Sequence, residues 1–169
     1  VGATISSRTK GLFSKKDLIG DNPKGNAKQF YEGKDVHKWR LKYRGLWLDY
    51  RDKELSGPRY PEIFEQKKIV IRRVSDKGHV IAATLDTSKR YTDDGNVLLV
   101  PFGDLTNRIL HSSFAGYEIK KLAGIDLKYA LAVLVSRLEN FYFRRRFATE
   151  SLQGSTSHTY PASVRALPI

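Results

Sequence analysis

The clearest change in the pattern of apolar and polar residues lies in residues 58–74, PRYPEIFEQKKIVIRRV. A proline at a first helical position, with Glu62 and Glu65 behind it, is typical of the positive end of a helix. The pattern then becomes a β-branched run that is apolar enough to be buried on both faces of a sheet. The segment therefore predicts a short helix and a core strand, with Arg72 and Arg73 at the exit of the strand.

Apolar and polar residues alternate with a period of two in residues 39–44, and this period, together with short apolar runs elsewhere, predicts further short strands. Strands are expected in residues 39–44, 46–48, 79–86 and 97–102. The first two are joined at Gly45, and a turn at residues 75–78 lets the third pair back antiparallel on the core strand. Residues 1–34 are polar and glycine-spotted, which predicts turns and short strands.

The strongest helical pattern begins at Asp126, a residue type that is favoured at the N-cap. The apolar residues at helical spacing are Leu127, Leu131, Leu134, Leu138 and Phe141. They predict one long amphipathic helix near the C-terminus, which carries the main core seam. The final residues 160–169 are predicted to be extended.

Length and charge favour one basic domain with a polyanionic partner. The chain has 169 residues, which suits a single domain spanning residues 1–169. Its 30 Lys and Arg against 18 Asp and Glu give a net charge of +12. This charge favours nucleic acid as the partner, although a merely soluble basic protein would also carry it. The sequence contains no methionine, so we expect it to be a piece of a longer protein.

Several classes of function are excluded or lack support. The sequence has no cysteine, which excludes disulfides and thiolate metal sites and makes the cytoplasm the expected compartment. No apolar run approaches the roughly 20 residues that span a bilayer, so no membrane partner is expected. The four histidines are far apart, and no metal site is predicted. The sequence carries no motif for a phosphate-binding loop or a hydrolase nucleophile.

One enzymatic alternative stays open, because Glu65 and Lys67 spell the Glu-x-Lys half of a magnesium nuclease site. Asp49 or Asp52 would supply the upstream carboxylate, and the two carboxylates with the lysine would hold Mg²⁺ and an attacking water. Against this alternative, Glu65 falls at a predicted helix end, whereas the chemistry needs a rigid strand. An RNA-binding module is the other alternative.

The basic residues predict a DNA-binding surface. Arg40, Lys42 and Arg44 alternate along one predicted strand face, where all three are able to follow a phosphate backbone. Of the adjacent Arg72 and Arg73, one is expected to face DNA and the other a structural carboxylate, because neighbouring strand residues point to opposite faces.

Residues 87–96 predict a contact loop that carries charges of both signs. Lys89, Arg90 and Tyr91 are its candidate DNA contacts, with Tyr91 as the exposed aromatic that would touch a base. Trp39 and Trp47 are instead expected in the core. No catalytic residue is predicted among these candidates.

Five segments together resemble one known family. They are FYEGKDVHKWRLKYRGLWLDY, PRYPEIFEQKKIVIRRVS, YTDDGNVLLVPF, LKYALAVLVSRLENFYF and YPASVRALPI, and they follow each other in the order typical of the family. The family is the TaqI-like C-terminal specificity domain, the target recognition domain of adenine-specific DNA methyltransferases and of type IIG restriction-modification enzymes. The likeness covers residues 30–169, while residues 1–29 are not aligned.

The resemblance implies a single α+β domain with a twisted, mostly antiparallel sheet and a few helices. In this family the sheet enters the major groove and reads base edges in duplex DNA, as part of a prokaryotic restriction-modification system. Methyl transfer would take place in a separate catalytic domain of the same parent chain, which binds S-adenosylmethionine and flips the target adenine. The Asn-Pro-Pro-Tyr motif and the glycine motif of that domain are missing from this chain, and residues 21–24 are only a superficial echo of the first. The chain is therefore expected to be the recognition domain alone, without enzymatic activity or a cofactor of its own.

Overall fold

The computed structural model of the chain describes residues 15–51, 60–74, 80–101, 126–147 and 158–168. The elements within these ranges are α1 (Lys15–Leu18), β1 (Ile19–Gly20), β2 (Ala27–Tyr31), a 3₁₀ turn (Gly33–Asp35), β3 (Val36–His37), β4 (Arg40–Leu41), β5 (Trp47–Asp49), α2 (Pro61–Phe64), β6 (Lys68–Arg72), β7 (Ala83–Asp86), β8 (Tyr91–Thr92), β9 (Asn96–Leu99), α3 (Leu127–Leu134), α4 (Arg137–Phe147) and α5 (Pro161–Arg165). None of the helices in these ranges is long and apolar enough to cross a bilayer.

The described strands form three sheets rather than one. Their strand orders are β1-β5-β2-β8, β3-β4 and β7-β6-β9. Every pair is antiparallel except β2 with β8, which is parallel. The predicted α+β class and its mostly antiparallel pairing are therefore confirmed, and the expected single sheet is divided.

The core strand predicted from residues 58–74 is confirmed as β6. Strand β7 pairs antiparallel on one side of it, with Ile69 opposite Leu85, and β9 pairs on the other side. Val70 faces one hydrophobic cluster, which includes α2, β2 and β5, while Ile69 and Ile71 face a second cluster with α3, α4 and α5. The β7-β6-β9 sheet thus lies between two cores.

The short helix before β6 is also confirmed. Pro61 occupies the first turn of α2, where its missing N–H removes no helical hydrogen bond. Glu65 is the C-cap residue, and its backbone N–H donates to the carbonyl oxygen of Pro61 at 2.9 Å. Ile63 and Phe64 are buried, so this one turn of helix closes the first cluster.

The long C-terminal helix is replaced by α3 and α4, which are separated at Val135 and Ser136. The predicted N-cap is confirmed, because the carboxylate of Asp126 accepts a hydrogen bond from Lys128 N at 2.7 Å. At the interruption, the Ser136 hydroxyl oxygen accepts the backbone N–H of Glu139 at 3.0 Å. This contact supplies a partner for one of the free N–H groups at the start of α4.

The interruption changes which side chains face the core. Leu138 is 77% exposed and Phe141 is 51% exposed, so the predicted continuation of the apolar stripe is wrong for both. Phe143 is buried instead, and the side-chain oxygen of Asn140 accepts the backbone N–H of Ile81 at 2.6 Å. The prediction assumed uninterrupted helical spacing, which a two-residue break shifts to another face.

The extended conformation predicted for residues 160–169 is wrong for Pro161–Arg165. Pro161 begins α5, a helix in which Val164 and the following Leu167 are buried in the second cluster. The fixed φ of proline suits a first helical turn, but a helix this short leaves too few apolar positions to show a period. Residues 103–124, for which the sequence predicts irregular or partly helical structure, lie outside the described residues.

Candidate nucleic-acid interface

A two-residue turn at Lys38 and Trp39 joins β3 to β4, with His37 opposite Arg40. The strand predicted for residues 39–44 is therefore reduced to Arg40–Leu41. The backbone N–H of Trp39 donates to the carbonyl oxygen of Ala83 at 2.9 Å, which fixes the turn against β7. Trp39 is 55% exposed, so its predicted place in the core is wrong.

The base of this hairpin is organised by the buried carboxylate of Asp35. It accepts hydrogen bonds from Arg44 Nε at 2.5 Å, from Arg44 Nη2 at 3.0 Å and from the backbone N–H of Glu32 at 2.9 Å. Arg44 Nη2 also donates to the Glu32 carboxylate at 2.7 Å. The hydrogen bond with Asp35 is the main reason that the pKa of Arg44 is raised above its usual range. Arg44, a predicted DNA contact, therefore holds the hairpin.

A second buried carboxylate, Asp86, shapes the segment that follows β7. It accepts Lys68 Nζ at 2.7 Å, the backbone N–H of Ser88 at 2.9 Å and the backbone N–H of Arg90 at 3.1 Å. Burial lowers the pKa of Lys68, although the Asp86 charge opposes this shift. These contacts fix an exposed turn at residues 87–89, in which Lys89 has a φ of 56°.

The contact loop predicted for residues 87–96 is interrupted beyond this turn, because β8 occupies Tyr91–Thr92 and β9 begins at Asn96. Tyr91 is 1% exposed, its ring stacks on Phe64 with the centroids 4.6 Å apart, and its hydroxyl donates to Glu65 Oε1 at 2.8 Å. Burial is the main cause of its raised pKa. A buried ring with these contacts is a core group and offers no face to a base.

Arg90 joins the hairpin to the turn at residues 87–89. Its guanidinium lies over the ring of Tyr43, with 4.5 Å between Cζ and the ring centroid, and Nε donates to Gln29 Oε1 at 3.1 Å. A cation held on an aromatic face in this way contributes to packing. Arg90 therefore has partners within the protein, and its contact with DNA stays a prediction.

Arg72 and Arg73 stand at the end of β6, as predicted, and both are half-buried. Arg73 Nη1 donates to the backbone carbonyl of Asp94 at 3.2 Å, and its guanidinium lies 5.3 Å from the ring centroid of Tyr160. Arg73 thus faces a structural partner, but that partner is a backbone carbonyl and a ring rather than the expected carboxylate.

The remaining predicted cations, Arg40, Lys42 and Lys89, are exposed and form no ion pair with any residue that the structure describes. They lie on two neighbouring segments, which meet where Trp39 bonds to Ala83 and again where Arg90 covers Tyr43. We define the cationic surface as Lys38, Trp39, Arg40, Lys42 and Lys89. Sequence reasoning missed the first two, because the turn contains none of the glycine or asparagine that would signal it.

A family model described as the TaqI-like C-terminal specificity domain matches residues 28–169. The chain belongs to this family. No curated protein matches the sequence. The resemblance noted from the five segments is confirmed, and the matched range begins just before β2. Specificity domains of this family serve DNA target recognition in methyltransferases and restriction enzymes and are not catalytic domains.

The nuclease alternative has no support in the described part of this specificity domain. The Glu65 carboxylate accepts Lys28 Nζ at 2.9 Å and the Tyr91 hydroxyl, and the hydrogen bond from Lys28 is the main reason that its pKa is lowered. Asp49 accepts the backbone N–H of Asn26 at 3.0 Å. Among the described residues no group of three carboxylates or histidines is placed to hold a metal ion.

Proposed function

We propose that this specificity domain binds duplex DNA through the cationic surface. The observation that supports the proposal is that the basic residues in this part of the domain fall into two groups. Arg44, Lys68 and Arg90 are occupied by protein partners, whereas Arg40, Lys42 and Lys89 are exposed and unpaired within the described ranges. Unpaired cations at fixed positions suit phosphate groups, which supply most contacts in protein–DNA complexes.

The rigidity of the two segments supports the same proposal. Asp35 anchors the hairpin and Asp86 anchors the turn at residues 87–89, each through three hydrogen bonds to its buried carboxylate. A cation on a fixed backbone loses less freedom when it meets a phosphate than one on a loose loop does. The net charge of +12 adds a long-range attraction to DNA.

We further propose that the domain positions an adenine methyltransferase domain of the same parent chain, in a prokaryotic restriction-modification system of the type IIG kind or a related one. That catalytic domain would bind S-adenosylmethionine and act in the cytoplasm. Family membership supports this assignment. Two separate domains for DNA recognition and methyl transfer are physically reasonable, because a recognition surface and a methyl-transfer pocket need different arrangements of side chains.

The dependence of DNA affinity on salt tests the proposed surface. We expect the triple variant Arg40→Ala, Lys42→Ala, Lys89→Ala to reduce the slope of log affinity against log salt concentration by about 2.7, since each phosphate contact contributes about 0.9. The matched control removes three exposed cations elsewhere, with Lys24→Ala, Lys128→Ala and Arg144→Ala. Binding is measured by fluorescence anisotropy from about 50 to 200 mM salt.

Equal slopes for the two triple variants would show that only net charge matters and would reject the cationic surface. Tighter binding of structured RNA than of duplex DNA by the unmodified chain would favour the RNA-binding alternative. Magnesium-dependent nicking that Glu65→Gln abolishes would revive the nuclease alternative.

A further inference from the structure

Trp39 is an unusual residue for its position in the β3–β4 turn. It is the second residue of a two-residue turn, and its φ of 67° lies in the left-handed region. Bulky side chains rarely adopt this region, and turns with such a second residue ordinarily carry glycine or asparagine there. The requirements of the turn therefore do not explain a tryptophan.

Burial gives only a partial reason for the residue. Trp39 is 55% exposed, whereas the other tryptophan of the chain, Trp47, lies in β5 and is half-buried. The backbone of Trp39 is nevertheless fixed, because its N–H donates to Ala83 O at 2.9 Å. A strained residue that presents a largely exposed aromatic side chain on a fixed backbone is a feature of binding sites.

The surroundings of the ring indicate what kind of ligand it would meet. Lys38 and Arg40 flank Trp39 in the chain and Lys42 follows, and all three are exposed without an ion pair among the described residues. A flat ring between cations is complementary to a flat aromatic group on an anionic backbone. Nucleic acid has both features, since bases stack on aromatic side chains while phosphates meet Lys and Arg.

We propose that Trp39 stacks its indole ring on a nucleobase, at a step of the bound DNA that opens when the domain binds. Lys38 and Arg40 then contact the phosphates on either side of that base. This inference rests on the proposed function and adds a base contact to its phosphate contacts. Insertion of an apolar side chain requires an unstacked step, which costs least where a base is already unpaired.

Three variants test the role of the ring. Trp39→Asn removes the ring but keeps a residue that suits the left-handed turn, and Trp39→Phe restores a stacking ring. Tyr129→Ala is the matched control, since it removes an aromatic residue that is 66% exposed on α3. Dissociation constants are measured for a fully paired duplex and for the same duplex with one bulged nucleotide, at several salt concentrations.

We expect Trp39→Asn to weaken binding about 5- to 150-fold, the range that base–aromatic stacking supplies. The salt slope should stay unchanged, because no phosphate contact is lost. The unmodified chain should prefer the bulged duplex, and Trp39→Asn should lose this preference. Trp39→Phe should recover most of the affinity, while Tyr129→Ala should bind like the unmodified chain.

Fluorescence supplies a second readout that does not depend on removing the ring. The variant Trp47→Phe leaves Trp39 as the single tryptophan. Saturating duplex DNA should quench its emission and protect it from acrylamide. Unchanged emission, or equal binding by Trp39→Asn and the unmodified chain, would overturn the stacking of Trp39 while DNA binding stands. Failure of the unmodified chain to bind either duplex would instead reject the proposed function.

Discussion

The ion pair between Lys68 and Asp86 offers the sharpest test of how the fold supports the cationic surface. Both side chains are fully buried, with 2.7 Å between Nζ and Oδ2. Removing either charge leaves the other inside the protein, which ordinarily costs about 3 to 5 kcal/mol. We therefore compare Lys68→Met with Asp86→Asn, which remove opposite charges and nearly preserve side-chain volume.

The two variants should differ, because the abandoned charges have different remaining partners. After Lys68→Met, Asp86 still accepts the backbone N–H groups of Ser88 and Arg90, and the Arg90 guanidinium is 4.0 Å away. After Asp86→Asn, Lys68 keeps the carbonyl oxygen of Phe64, at 2.6 Å, as its remaining charge-stabilising contact in the described structure. We therefore expect Lys68→Met to lower the free energy of unfolding by about 3 kcal/mol and Asp86→Asn to lower it by about 5 kcal/mol.

Urea unfolding of the two single variants and the double variant measures these costs. A loss of 3 to 5 kcal/mol corresponds to a fall in melting temperature of about 6 to 20 °C for a domain of this size. The free energy of unfolding of the double variant should fall by less than the sum of the two single losses, because neither charge is left buried without its partner. A larger loss for Lys68→Met than for Asp86→Asn, or losses under about 1 kcal/mol for both, would refute this account of the pair.

Two further predictions concern the hairpin and the first cluster. Arg44→Ala should lower the free energy of unfolding by about 1 to 3 kcal/mol, because buried Asp35 loses its charged donor. The same variant should leave the salt slope of DNA binding unchanged. A slope reduced by about one would instead indicate that Arg44 contacts a phosphate. The pKa of Glu65 is held below its ordinary value of 4.5, so its ionised form stabilises the domain above that pH, and the contribution is lost as the pH falls through the lowered pKa. Glu65→Gln should therefore be less stable than the unmodified chain near neutral pH and show a shallower loss in acid, and parallel urea midpoints from acid to neutral pH would contradict this.

Much of the core could be predicted from the sequence because its signals are local. The run from Ile69 to Ile71 needs burial on both sides, and the structure buries it on both sides. The N-cap at Asp126 likewise depends on a hydrogen bond two residues away. Such features follow from residue type and spacing, which one sequence displays directly.

The availability of the candidate DNA-contact residues was harder to predict, because it depends on contacts between residues that are distant in the sequence. Arg44 and Arg40 have the same sequence signal, yet only Arg44 meets a buried carboxylate. Tyr91 stands in a charged segment, but its ring lies against Phe64, far away in the chain. Periodicity indicates which face of an element a residue occupies, but it does not indicate which distant residue its side chain contacts.

The position of the β7-β6-β9 sheet between two cores has a consequence for how this domain can change in evolution. Successive residues of β6 belong to different clusters, so almost any substitution in the strand disturbs one core or the other. The turns at residues 38–39 and 87–89 are exposed and belong to neither hydrophobic cluster. If the cationic surface binds DNA as we propose, substitutions in these two turns would change the DNA contacts while both hydrophobic clusters stay the same.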